Sequence, residues 1–81
     1  MENKKIPNGR ILSTKDMGKA IRAKRKADGL TQFDAAALCG VGTRFLGELD
    51  RGKETAQIGK IFRIIHGLGL ELHMTSKGIP R

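Results

Sequence analysis

The sequence predicts an all-α fold, a bundle of four to five short helices followed by one short C-terminal β-strand. Three observations predict it. Hydroxyl residues able to cap a helix recur ahead of apolar runs, and glycine stops each run. Ile58, Ile61, Phe62, Ile65 and Leu68 fall at steps of three and four, the spacing of one helix face. The last apolar residues, Leu70, Leu72 and Met74, alternate instead with Glu71, His73 and Thr75, the two-residue rhythm of a strand.

Each element has its own local signals. Residues 1 to 12 carry Lys4, Lys5 and Arg10 around the turn-forming Pro7-Asn8-Gly9, and read as a flexible basic arm. Such an arm either tracks phosphates or is a frayed terminus with no role. Ser13, with Asp16 three residues on, opens a first helix over about 14 to 28 that closes at Asp28-Gly29. Met17, Ala20 and Ile21 recur along it at helical spacing. Thr31 with Asp34 repeats the device and opens a helix of about two turns, Gln32 to Cys39, which Gly40 ends. Thr43 is expected to cap a third segment, Arg44 to Arg51, with Leu46 and Leu49 inward and Gly52 as the stop. The apolar stripe beginning at Ile58 forms the fourth helix. One domain therefore spans 13 to 75, and Ser76 to Arg81, with Gly78 and Pro80, reads as a loose tail.

A strand over 70 to 75 cannot stand alone, and the chain offers no second convincing one. Pairing with a twofold-related copy would complete the ladder and bury Leu70, Leu72 and Met74 in a homodimer interface. The alternatives are packing on the fourth helix or pairing with Ile11 and Leu12.

Composition bounds what such a fold does. The 81 residues leave room for one small domain but not for a large core together with an enclosed substrate cleft. Aromatics are only 4% of the chain, so the core must come from Ile, Leu, Met, Val and Ala. Sixteen Lys and Arg against eight Asp and Glu leave a net charge of +8, which favours a polyanionic partner, nucleic acid first; the bland reading is a solvated surface. No apolar run approaches the length of a bilayer span, and no signal-peptide core follows Met1-Glu2-Asn3-Lys4-Lys5, so a cytoplasmic protein is expected.

Catalysis is not expected. Cys39 is the single cysteine and has no ligand neighbour, while His66 and His73 stand seven apart across a change of element, a spacing without metal-site logic. No Ser-His-Asp set, paired carboxylates or phosphate-cradling glycine loop is present, so neither a metal nor a cofactor is anticipated.

The functional signal lies between Gln32 and Leu49. Small Ala36 stands where two helices cross closely, Gly40 lies in the turn, and Val41, Leu46 and Leu49 follow as core contacts, the spacing of a helix-turn-helix. With Leu30-Thr31-Gln32 ahead and Glu48-Leu49-Asp50-Arg51-Gly52-Lys53 behind, residues 14 to 69 resemble the lambda-repressor-like, Cro/C1-type (XRE) helix-turn-helix family. Ile61-Phe62-Arg63-Ile64-Ile65-His66-Gly67-Leu68-Gly69-Leu70-Glu71-Leu72 is similar, more narrowly, to HipB-like antitoxins, whose helix runs into a short dimerising strand. That resemblance implies a homodimer that represses its own operon at a palindromic operator in double-stranded DNA and binds a HipA-type serine/threonine kinase toxin.

The resemblance also implies roles for residues. The start of the third helix would enter the major groove, placing Thr43, Arg44 and Phe45 against base edges with Gly47 and Glu48 one turn later. Arg44 suits a bidentate pair with guanine or a phosphate contact; Phe45 suits a thymine methyl or a partly buried core position. Glu48 can accept from a cytosine amine or exclude wrong sites by repulsion. Gly42 stands where many members carry a polar contact residue. Gly47, costly inside a helix, fits either a close approach to DNA or a readout leaning on DNA shape. Thr31 and Gln32 sit at a helix N-terminus suited to a phosphate oxygen, and Arg51 and Lys53 either clamp the flanking backbone or are solvated. Arg25 and Asp50 occupy positions that pair as a structural salt bridge in related repressors. Two other functions stay open on the sequence: a stand-alone or phage-type regulator without a toxin, and an interaction module that uses the fold only as scaffold.

Overall fold

The computed structural model describes residues 10–76. Four helices are present among them: α1 (Thr14–Ala27), α2 (Gln32–Cys39), α3 (Thr43–Asp50) and α4 (Ile58–Gly67). The expected arm over 1 to 12 and tail over 76 to 81 lie mostly outside the described residues.

Side chains set the first two helix starts. Ser13 Oγ accepts from the Asp16 amide at 3.1 Å, and Asp16 Oδ2 accepts in return from the Leu12 amide at 2.9 Å. Thr31 Oγ1 accepts from the Asp34 amide at 3.0 Å. Each bond satisfies an amide that the first helical turn leaves without a partner. At the other end of α2, Gly40 takes the left-handed conformation, φ 71°, which turns the chain so that the Val41 amide reaches the Ala36 carbonyl at 3.0 Å. The third start differs from expectation: Gly42 is the N-cap and Thr43 the first helical residue, with no side-chain cap bond. Three residues, Gly40 to Gly42, make this turn, and Thr43 is thereby drawn into the helix and left exposed at its tip.

The core is aliphatic. Ile21 of α1, Ala35, Ala36 and Cys39 of α2, Leu46 and Leu49 of α3, and Ile61, Ile64, Ile65 and Leu68 from α4 onward are buried together. The α3 helix packs on both α1 and α2, and α2 also carries α4. The α1–α3 crossing is closer than side chains allow: a Cβ on Gly18 would run into the Leu49 carbonyl. Ala36, 1% exposed, serves the neighbouring seam.

Two expectations change. The buried face of α4 is rotated from the stripe read in the sequence: Ile64 is fully buried, whereas Ile58 and Phe62 are exposed. Both sets keep three- and four-residue spacing, and the contact with α2 selects between them. Residues 70–76 form no strand in the single chain. Leu70 packs against the core, with its amide donating to the Ile65 carbonyl at 2.8 Å, but Leu72 is exposed and Met74 is 92% exposed. A strand needs a ladder, and among the described residues no neighbour supplies it.

Candidate nucleic-acid interface

Two polar networks hold α3, one on its inner side and one on its outer side. On the inner side, Arg25 Nη2 donates to Asp50 Oδ2 at 3.0 Å and Arg25 Nη1 donates to the Leu30 carbonyl at 2.9 Å. Gln32 Nε2 donates to the same Asp50 oxygen at 3.0 Å. The Arg25 and Asp50 side chains are only 9% and 6% exposed. One carboxylate therefore ties the end of α1, the start of α2 and the end of α3, which fixes the angle at which α3 is presented.

The outer side is ionic and open. Arg44 reaches out from the first turn of α3 with its side chain 92% exposed, and Thr43 beside it is also exposed. Arg44 Nε lies 3.5 Å from Glu48 Oε2, and Lys53 Nζ lies 3.3 Å from Glu48 Oε1. The hydrogen bond from Lys53 foremost, then the charges of Lys53 and Arg44, hold the Glu48 carboxyl below the usual carboxylate range despite some desolvation. Phe45 is half-buried against the core, and Lys60 Nζ from α4 lies 5.4 Å from its ring centroid. Gly42, Arg44, Phe45, Glu48, Lys53 and Lys60 line one shallow groove of about 400 Å³.

The structure thus gathers some of the residues anticipated as DNA contacts and redirects others. Thr43, Arg44, Phe45, Glu48 and Lys53 share the outer face or its groove. Gly47 does not: it is buried, and a Cβ there would meet Gln32 Oε1 at 3.4 Å and Arg51 Nη1 at 3.6 Å. On a helix, position 47 lies off the line joining 44 and 48, and at these ordinary van der Waals distances it faces the Gln32 and Arg51 side chains. Gln32 is likewise turned inward to Asp50, which leaves its backbone amide, at the first position of α2, as the group able to meet a phosphate. Thr31 Oγ1 is engaged in capping, and Arg51 is exposed. Sequence reasoning missed Lys60, which lies on another element, and Gly18, whose place inside a helix that favours alanine by about 1 kcal/mol was an available signal.

No protein-family model matches the chain. A curated relative is 39% identical over 72 residues, covering 89% of this chain and 95% of its own length: the uncharacterized HTH-type transcriptional regulator y4mF of Sinorhizobium fredii. The chain belongs to the HTH-type transcriptional regulators. This HTH-type regulator also has the fold of HipB, superposing with a TM-score of 0.79 on HipB from a HipA-HipB-O2-O3 complex and from a HipB-O4 20mer complex. Each match covers 86% of this chain and 99% of that one, at 18% sequence identity. The helix-turn-helix of the regulator is α2, the Gly40–Gly42 turn and α3, and its relatives form a non-enzymatic family. Among the described residues no helix is long and apolar enough to cross a membrane, and no group of three metal-ligating side chains is found.

Proposed function

We propose that this regulator is a HipB-like antitoxin: a homodimer that binds a palindromic operator through α3, represses its own operon and neutralises a HipA-type serine/threonine kinase. The observation that carries the DNA-binding part is the outer face of α3. Thr43 and Arg44 project from a helix tip whose orientation the Arg25–Asp50–Gln32 network fixes, on a chain of net charge +8. Arg44 is long enough, and exposed enough, to reach guanine O6 and N7 in a major groove, with Phe45 set for a thymine methyl. The α2 N-terminal amides, Arg51 and Lys53 would then contact the flanking phosphates, a reading supported by the exposure of Arg51 and Lys53.

The dimer is supported by what a single chain leaves uncovered. Leu72 and Met74 expose apolar side chains in alternation with Glu71, His73 and Thr75, and Ile58 and Phe62 on α4 are also exposed. Pairing of 70 to 75 with the same segment of a second copy supplies the absent ladder and covers those residues. The toxin partner is supported by likeness of fold over nearly the whole of HipB, including HipB solved with HipA. The relative's description as a transcriptional regulator favours the second reading, a regulator without a toxin.

The deciding experiment is purification from the native host, followed by a mobility-shift assay on a duplex spanning the chain's own promoter. Co-purification of a kinase and a shifted species of two chains per palindrome are expected, with half-sites about one helical turn apart or a multiple of it. Binding that ignores salt, or a monomer that Leu72→Lys leaves unchanged, would overturn the reading.

A further inference from the structure

The proposed DNA-binding role leaves one feature of α3 unexplained: a carboxylate in the middle of a cationic face. Stability does not account for it. Glu48 lies in the last turn of α3, at the negative end of the helix dipole, and Arg44 precedes it in the less favourable order for a pair four residues apart. Yet the carboxylate is held by two cations at once, Arg44 at 3.5 Å and Lys53 at 3.3 Å, within the groove that Phe45 and Lys60 complete. The same two cations keep it ionised well below neutral pH.

We infer that Glu48 is a specificity-determining residue that holds Arg44 and Lys53 away from phosphates until a base edge offers its carboxylate a donor. On a random duplex, drawing the Arg44 Nε and Lys53 Nζ contacts onto phosphate parts them from Glu48, which then faces the DNA backbone with its pairing weakened and its charge repelled. At a matching site, a cytosine N4 amine in the major groove donates to Glu48 while guanine O6 and N7 take Arg44, so releasing the cations leaves no charge unsatisfied. The carboxylate thus weakens binding everywhere and weakens it least at the operator. The inference rests on the proposed DNA-binding reading.

The test compares the wild-type chain with Glu48→Gln, which keeps the side chain's size and removes its charge. Two probes are used, a duplex spanning the chain's own promoter and a scrambled duplex of the same length and composition, each over a series of salt concentrations. For Glu48→Gln the affinity for the scrambled duplex is expected to rise about tenfold. Its salt dependence should steepen by up to about two in log–log slope per protomer, as two cations become available to phosphates. Promoter affinity should change less, so the preference for promoter shrinks. Glu48→Ala should move both readouts the same way. Unchanged scrambled-duplex affinity and salt slope overturn the inference, as does a loss confined to the promoter, which would make Glu48 a base reader alone. A wild-type chain that binds neither duplex in dilute salt overturns the DNA-binding reading as well, so the two failures are distinguishable.

Discussion

Two arginine–carboxylate pairs flank the same short helix, and they differ in almost everything except their chemistry. Arg25 and Asp50 meet at 3.0 Å in the seam between α1 and α3, buried, with Gln32 sharing the carboxylate. Arg44 and Glu48 meet at 3.5 Å on the outer face, where Arg44 is almost wholly exposed and Lys53 holds the other oxygen of the same acid. A buried pair that loses one partner strands a charge in a poor solvent, whereas an exposed pair that opens exchanges its partner for water or phosphate. Burial therefore makes the first pair a brace and leaves the second free to act in recognition.

That contrast breaks most visibly at Asp50. Asp50→Ala leaves Arg25 buried without its counter-charge, and thermal or denaturant unfolding should show a loss of about 3–5 kcal/mol. Replacing both partners by apolar residues of similar size, Arg25→Met with Asp50→Leu, should recover much of it, because the stranded charge is gone. The next effect in size lies in the same seam. Gly18→Ala drives a Cβ into the Leu49 carbonyl, and the resulting overpacking should cost about 1–3 kcal/mol in the same unfolding measurement, although alanine is the better helix former.

On the outer side the expected effects move from stability to binding. Arg44→Ala should leave unfolding within about 0.5 kcal/mol of wild type, as exposed substitutions do. Operator binding in a shift assay should weaken by about 1–3 kcal/mol, with relaxed preference at the contacted base pair. A stability loss comparable to that of Asp50→Ala would erase the distinction between the pairs.

The smallest effect is a titration. Glu48 has its carboxyl lowered in the folded chain, so its ion pairs persist above the usual carboxylate range and through mild acid. They are lost only as pH falls through the depressed value. Carboxyl resonances followed by NMR should place Glu48 below ordinary glutamates. Lys53→Gln should return it further toward the ordinary value than Arg44→Gln, because the Lys53 hydrogen bond is the larger cause.

The outer face was partly legible in the sequence. Residues 43, 44, 45 and 48 followed from the position of the third helix after the Gly40 turn, since a helix start fixes which residues stand at its tip. For Gly47 and Gln32 the sequence did not show which way they turn, for a shared reason. Each faces the other across the α2–α3 crossing, and a position on a helix names a face without saying what lies opposite it.

Where α1 and α2 begin and where α2 ends was written into the chain, because capping and termination are settled there between groups three to five residues apart: Ser13 with Asp16, Thr31 with Asp34, and Gly40 with the carbonyl behind it. How each helix is rolled about its axis was not. Ile58, Phe62 and Ile64 are equally apolar in one dimension, and burial of Ile64 alone among them came from the surface α2 presents to α4. The segment from 70 to 75 marks the limit of both: its alternation is local, but a strand's hydrogen bonds need a second backbone segment, and none pairs with it among the described residues.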